Sequence, residues 1–352
     1  MYGVFSKMTS APKIQLKNMS LEEMEAFFLE IGEKPFRARQ LFKWIWQKRV
    51  QSFEEMTDLS KDLHSKLKGM CSIQLSHIET PPDLFTNEAG KHLIRFNDGR
   101  SVETVIIPDE NRLTVCVSSQ VGCAMNCDFC QTGKMGLIRQ LSAGEIVDQL
   151  FHIQSILTER VTNIVFMGMG EPFHNYDEVI KAAYIMNHDL AFKIGARKIT
   201  ISTSGLIPEI IRFTDDGHRF KLAVSLNGTT DEQRVKLMPL NKKWPMQQLI
   251  DVIKRYNEIS HNAMMFEYVL LANVNDDLED AKRLIHIAEK VFCKVNLIPY
   301  NETSGPFQRP SNNRIQAFYK AVNIGKFPVI IRWSKGADNN AACGQLSTSV
   351  DN

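Results

Sequence analysis

The amino-acid sequence predicts an α/β protein in which six βα units curl into a partial barrel, preceded by a small N-terminal helical domain. From about residue 110 onward, runs rich in Val and Ile alternate with amphipathic stretches of helical period, the pattern of repeated strand and crossover helix. Residues 13 to about 75 carry helical patterning without such runs. A chain of 352 residues is also long enough for a large catalytic core and a smaller accessory domain.

In chain order, residues 1–75 are expected to form the helical accessory domain, 76–110 a connecting β segment, 111–346 the core and 347–352 a C-terminal tail. The stretch LEEMEAFFLEIGEKPFRARQLFKWIWQKRVQSFEEM places Lys34, Arg37, Arg39, Lys43, Lys48 and Arg49 close together. Such a run is either a solvated helix face or a patch that contacts phosphates. Trp44 and Trp46 are too close in sequence to share one helix face, so at least one belongs in the core. The six core strands are expected at Leu113–Val117, Asn163–Met167, Lys198–Ser202, Lys221–Ser225, Met265–Val269 and Lys294–Ile298. Helices are expected over Ala143–Ile156, Tyr176–Met186, Met246–Ile259, Leu278–Val291 and Arg314–Val322. β-Branched strands joined by right-handed crossovers tend to curl, which places reactive groups at the C-terminal strand ends.

Composition narrows the chemistry. Forty-two Lys and Arg against 40 Asp and Glu give a net charge of +2, so any nucleic-acid-binding surface must be local. No segment reaches the roughly 18 uninterrupted apolar residues of a membrane span, and no export signal is visible, which predicts a cytoplasmic protein without a membrane partner. Seven cysteines in a reducing compartment favour metal or redox chemistry over structural disulfides.

Three of them, Cys123, Cys127 and Cys130, fall in VGCAMNCDFC after a predicted strand. The gaps are three and two residues and no fourth Cys or His is near, which argues against a zinc site unless a distant Cys completes it. Three thiolates on a short loop suit a 4Fe-4S iron–sulfur cluster and leave one iron without a protein ligand. That spacing is the one used by radical S-adenosyl-L-methionine enzymes, in which the open iron takes the amino and carboxyl groups of the cofactor. The stretch FMGMGEP ends the next strand with Gly168, Gly170 and Glu171, where glycine lets backbone approach a ligand and the glutamate can accept from an amino group. Ser202 and Ser225 end the following two strands and Asn301 follows the sixth, each able to point a hydroxyl or amide into the barrel mouth.

The stretches VETVIIP, CVSSQVGCAMNCDFC, MGMGEP, ISTSGLIP, VNLIPYN and AACGQL run in this order from Ser101 to Leu346, with GEKPFRARQLFKWIW ahead of them. In these motifs the chain resembles the RlmN/Cfr family of radical S-adenosylmethionine RNA methyltransferases. The resemblance implies a radical-SAM barrel and assigns Cys343 as the methyl-carrying cysteine, Cys116 as its partner in a transient disulfide and Glu103 as proton acceptor. It also implies that Gly170, Glu171, Ser202, Ser225, Leu226, Asn227 and Asn301 contact S-adenosylmethionine. Adenine C2 is electron-poor and not nucleophilic, so polar methyl transfer fails and a radical route is needed. In the implied mechanism one S-adenosylmethionine methylates Cys343, and the 5′-deoxyadenosyl radical from a second abstracts hydrogen from that methyl. The carbon adds to the base, and Cys116 then releases the product by forming a disulfide that must be reduced each turnover.

The stretches VGCAMNC and NLIPYN favour the RlmN side of the family, implying C2 methylation of an adenosine in 23S ribosomal RNA and of one beside the anticodon of some tRNAs. Cfr-like C8 methylation, a paralogue with another RNA target, and a non-enzymatic iron–sulfur RNA-binding protein are the alternatives. An electron donor such as flavodoxin and a monomeric state are further expectations. The chain departs from the family where Asn227 replaces a His and where Asn339 and Asn340 replace an aliphatic residue and an acid, while Asp338 is kept. Cys71 and Cys293 match nothing functional and are expected to be packing residues.

Overall fold

The computed structural model describes residues 13–79, 90–333 and 342–348. In chain order the N-terminal region contributes β1 (Ile14–Gln15), α1 (Leu21–Glu30), α2 (Pro35–Trp46) and α3 (Lys61–Met70), closed by β2 (Cys71–Ser72), which pairs in parallel with β1. Ser20 and Glu23 form a reciprocal capping box that starts α1, and Pro35 starts α2, where its missing N–H costs nothing. Three strands follow, β3 (Ser76–Ile78), β4 (Gly90–Phe96) and β5 (Ser101–Asp109), paired antiparallel, and β5 pairs antiparallel with β6 (Arg112–Cys116). A small antiparallel pair, β7 (Gln120–Gly122) and β8 (Leu137–Gln140), brackets α4 (Gln131–Lys134).

From there the chain alternates: α5 (Ala143–Ile156), β9 (Asn163–Phe166), α6 (Tyr176–Asn187), β10 (Ile199–Thr203), α7 (Ile207–Asp215) and β11 (Lys221–Ser225). It continues through α8 (Asp231–Leu237), α9 (Met246–Ser260), β12 (Met264–Leu270), α10 (Leu278–Ala288), β13 (Cys293–Pro299), α11 (Asn312–Val322) and β14 (Val329–Ile331). Side-chain caps start several of these helices, Ser142 with Glu145 at α5, Asp277 at α10 and Ser311 at α11.

One ten-stranded sheet runs in the order β14-β13-β12-β11-β10-β9-β6-β5-β4-β3, parallel from β14 to β6 and antiparallel beyond it. Strand side chains such as Val115, Ile164, Ile201, Leu222, Phe266 and Val295 are fully or almost fully buried, as expected where helices cover a parallel sheet. All six expected strands are present. The sequence reading missed β14, α7 and α8, which are short, and among the described residues the sheet does not close, β14 and β3 being its edges. The α/β class and the small helical N-terminal region stand, and among the described residues the open sheet agrees with a partial rather than a closed barrel.

The N-terminal region packs on α5 and α6. Lys17 pairs with Asp148, both buried, and its ammonium lies 3.8 Å from the Phe151 ring centroid. Trp46 is fully buried against Phe192, and Trp44 donates to Asp58, so one of the two tryptophans is core as expected. The basic run is divided. Arg39 pairs with Glu25, Arg37 bonds Gln40 and the Asp58 carbonyl, and Lys34, Lys43 and Lys48 are exposed. Cys71 and Cys293 are buried, as expected of packing residues.

Candidate active site

The parallel strands end around a cavity whose wall includes Cys123, Cys127, Cys130, Glu267 and Cys343. Its rim is built by backbone that only glycine permits. Gly122 has φ +73°, and a Cβ there would lie 1.9 Å from the Gly136 carbonyl oxygen, so the turn into Cys123 excludes any side chain. At φ +102°, Gly170 would place a Cβ 2.6 Å from that of Gln120. The three-cysteine loop is then tied down by backbone bonds, Cys123 N–H to Gly136 O at 2.8 Å, Cys130 N–H to Cys127 O at 3.1 Å and Asp128 N–H to Leu237 O at 2.9 Å.

Burial raises the Cys123 thiol to about 12 and the Cys127 thiol well above its ordinary value, and in both Cys130 adds to the rise. Three thiols that repel each other's charge around one cavity need a cationic partner to ionise. The short C-x-x-x-C-x-x-C loop suits a multi-iron cluster better than the paired arms of a structural zinc site.

Of the residues expected to touch S-adenosylmethionine, Gly170, Glu171, Ser202, Ser225 and Asn227 line this cavity. Glu171 is buried, which raises its pKa, and its two oxygens already accept from Ser204 N–H at 2.7 Å and Phe173 N–H at 3.0 Å. An incoming amino group therefore shares a carboxylate fixed by its own loop. Asn227 sits in the left-handed region at φ +54°, where Asn is tolerated, and its Oδ1 accepts from Val269 N–H at 2.9 Å. The amide in place of His serves this backbone turn. Leu226 does not line the cavity; its side chain is in the core and only its backbone is near, with the carbonyl accepting from Arg234. Asn301 also lies outside the lining, and its Nδ2 donates to the Cys343 carbonyl at 3.1 Å.

Cys343 is carried by a short C-terminal segment that crosses the mouth. Gln131 N–H donates to Gly344 O at 2.9 Å, Thr132 Oγ1 to Leu346 O at 2.6 Å, and Gln345 Nε2 to Glu302 O at 2.9 Å. Cys343 is exposed because it faces the cavity, yet the mass of protein around that cavity raises its thiol to about 12, with Cys130, Cys116 and Glu267 adding to the rise and Arg332 opposing it. Cys116, at the end of β6, is buried, raised to about 11 and likewise opposed by Arg332. The two cysteines are thus electrostatic neighbours, both as free thiols. Asp338, Asn339 and Asn340 lie outside the described residues.

Glu103 lies within β5 and lines not the cysteine-walled cavity but a neighbouring polar one, with Arg95, Arg100 and Ser347. Burial raises its pKa; Lys91 at 2.7 Å and Ser347 N–H at 2.9 Å pull the other way. That Ser347 bond connects Glu103 to the segment bearing Cys343, four residues away in sequence.

Two residues of the site were missed. Arg234 is fully buried and its guanidinium donates to the Leu226, Ser204 and Ser225 carbonyls and to Asn241 Oδ1, cross-linking the ends of β10 and β11. Burial lowers its pKa to about 10. Nothing in DEQRVKL distinguishes it from a surface arginine. Glu267 is 4% exposed, accepts from Asn296 Nδ2 at 2.8 Å and leaves Oε1 without a partner among the described residues. A lone acid inside the apolar run MMFEYVL was a legible signal for it.

Comparison with known proteins places the chain in a family. Residues 14–73 match the ribosomal RNA large subunit methyltransferase N-terminal domain, and residues 117–285 match the radical SAM superfamily. The chain is 46% identical over 339 residues to the dual-specificity RNA methyltransferase RlmN of Geobacter sulfurreducens, covering 96% of this chain and 93% of that one. It is 42% identical to the protein of the same name from Bdellovibrio bacteriovorus, covering 95% and 84%. The crystal structure of a radical SAM methyltransferase from Sphaerobacter thermophilus superposes with a TM-score of 0.90 at 40% identity, covering 95% and 99%. With both regions matched and relatives this similar along nearly its whole length, the chain belongs to the RlmN family of radical S-adenosylmethionine RNA methyltransferases.

Proposed function

We infer that the protein methylates C2 of an adenosine in 23S ribosomal RNA and of an adenosine beside the anticodon of transfer RNA, through a methyl group held on Cys343. The observation that carries this is the convergence of Cys343 and the three-cysteine loop on one cavity, with Cys116 beside them. Cys123, Cys127 and Cys130 would hold a 4Fe-4S cluster, which supplies the electron that cleaves S-adenosylmethionine to a 5′-deoxyadenosyl radical.

The chain's own residues do the rest. Gly170 opens the wall to the cofactor, and Glu171, Ser202, Ser225 and Asn227 orient it. Cys343, anchored at its carbonyl by Asn301, accepts a methyl group as a thioether and presents that carbon to the base. Its raised thiol means that ionisation must be drawn out by a cation, a role the sulfonium of S-adenosylmethionine fills. Once the adduct has given back the one electron spent on the radical step, the Cys116 thiolate attacks the Cys343 sulfur and breaks its bond to the transferred carbon, which takes a proton to become the product methyl, leaving a disulfide for an external reductant such as flavodoxin. Glu103 removes the ring proton when RNA binding brings the base between the two cavities, and its Lys91 partner steadies the carboxylate.

Mass-spectrometric nucleoside analysis of ribosomal and transfer RNA, from cells with and without the gene, tests the assignment. C2-methyladenosine lost with the gene is the expected result. C8-methyladenosine lost instead assigns Cfr-like regiochemistry, and no change in either RNA removes the proposal.

A further inference from the structure

We propose that the N-terminal ends of the parallel strands, opposite the cysteine-lined mouth, form a second RNA-binding surface built from Arg197, Lys198, Arg219, Lys221 and Lys294. This surface rests on the RNA methyltransferase function inferred above.

Sheet register brings these residues together. Lys198 precedes β10, Lys221 opens β11 and lies beside Thr200 of β10, and Lys294 lies beside Met265 of β12. Adjacent strands in a sheet are about 4.8 Å apart, close to the spacing of successive phosphates along a nucleic-acid strand in order of magnitude. All five cations are exposed, and among the described residues none is in an ion pair. Three nearby acids are engaged elsewhere, Asp109 with Arg112, Asp215 with Arg255, and Asp216 with Arg212 and the Tyr176 hydroxyl. Partial burial, followed by the charges of Lys294, Lys198, Arg112 and Arg197, holds the Lys221 ammonium below its ordinary value. A crowd of uncompensated like charges costs stability unless a polyanion relieves it.

The surface is not flat. Arg197 and Arg219 line a concave pocket with Tyr256, Ser260 and Asn262, and Arg219 shares a second with Tyr184 and Asn187. Large apolar side chains are exposed here too, Ile259 at 48% and Tyr184 at 48% in those pockets and Phe292 at 61% two residues before Lys294. Cations that meet phosphates, interleaved with rings on which unpaired bases stack, are what RNA loops bind. An acidic electron carrier is the competing partner for a basic patch. Docked here it would be separated from the three cysteines by the length of the strands, about 13 Å for the four steps from Lys221 to Ser225 at roughly 3.3 Å each, plus the cavity beyond. A long RNA folded around the enzyme reaches both ends.

The test compares anaerobically reconstituted wild type with the variant carrying R197Q, K198Q, R219Q, K221Q and K294Q, using unmodified transfer RNA transcripts and deproteinised ribosomal RNA. Affinity is expected to fall at least tenfold at fixed salt, and the slope of log affinity against log salt to decrease by about 0.7–0.9 for each phosphate that is no longer neutralised. Dithionite-driven S-adenosylmethionine cleavage should stay unchanged, showing an intact mouth. Wild type and variant with the same affinity and slope would overturn the proposal, as would a variant that keeps its RNA affinity but loses only flavodoxin-driven cleavage. Wild type that binds neither RNA would instead remove the functional assignment on which the surface rests.

Discussion

The two ends of the parallel sheet are built on opposite electrostatic logic. At the C-terminal strand ends, ionisable groups are buried: Glu171 and Glu267 with raised pKa values, Arg234 with a lowered one, and thiols pushed upward. At the N-terminal ends, Lys198, Lys221 and Lys294 stand in solvent without ion-pair partners among the described residues. Groups held away from their preferred protonation state need a ligand to settle them, which suits chemistry on a bound cofactor. Exposed cations settle in water and act at a distance, which suits capture of a large anion. The same strands supply both because one end opens into a protein-walled cavity and the other into bulk water.

The largest contrast should come from the two reactive cysteines. Cys343→Ala should never acquire a methyl group and should show no turnover, whereas Cys116→Ala should be methylated and then accumulate covalently joined to RNA. The measurement is a nuclease-resistant nucleotide mass on the peptide containing Cys343, present in the second protein and absent from the first. Turnover by Cys343→Ala would end the methyl-carrier assignment.

Next comes Arg234, the buried clip between strand ends. Arg234→Met removes the guanidinium's bonds to the Leu226, Ser204 and Ser225 carbonyls, and should cost about 3 kcal/mol in denaturant unfolding because buried acceptors lose charged donors. S-adenosylmethionine binding should weaken with it. A loss below about 1 kcal/mol, typical of a lone surface contact, would show that solvent reaches those carbonyls.

Glu267 offers a smaller and pH-dependent effect. Its folded pKa is raised by burial, so between the ordinary glutamate value of about 4.3 and its folded value the native state binds more protons than the unfolded chain. Stability from this group is therefore present at low pH and lost as pH rises through the folded pKa. Glu267→Gln should stabilise the cofactor-free protein by about 1 kcal/mol at pH 8, with the difference fading near pH 4. A variant less stable at pH 8 would mean that Oε1 has a partner in solution.

The opposite end should barely respond. Lys294→Ala should change stability by no more than about 0.5 kcal/mol, since the side chain is exposed and unpaired. A larger destabilisation would mean that the base of the sheet is structural, and the contrast between the two ends would collapse.

Much of this was open to a reader of the sequence. The β-branched runs located six strands because parallel strands buried on both faces must be apolar throughout, and the three-cysteine spacing identified a cluster loop because ligand geometry is local. Gly170 was likewise legible, because backbone that approaches a ligand this closely leaves no room for a side chain. Family motifs singled out Cys343, but not how it is held.

Tertiary structure alone decided what depends on residues distant in sequence. That Asn301 holds the Cys343 backbone while Leu226 turns into the core, and that Glu103 lies in the cavity beside Cys343's rather than within it, follow from how strands and the crossing segment pack. Arg234 looks like any helix-surface arginine until α8 folds it inward, and the five basal cations are scattered over nearly 100 positions until sheet register gathers them. Local chemistry is written in short stretches because spacing and conformational preference act over a few residues. Burial, charge crowding and the orientation of one cavity against another are set only when distant segments meet.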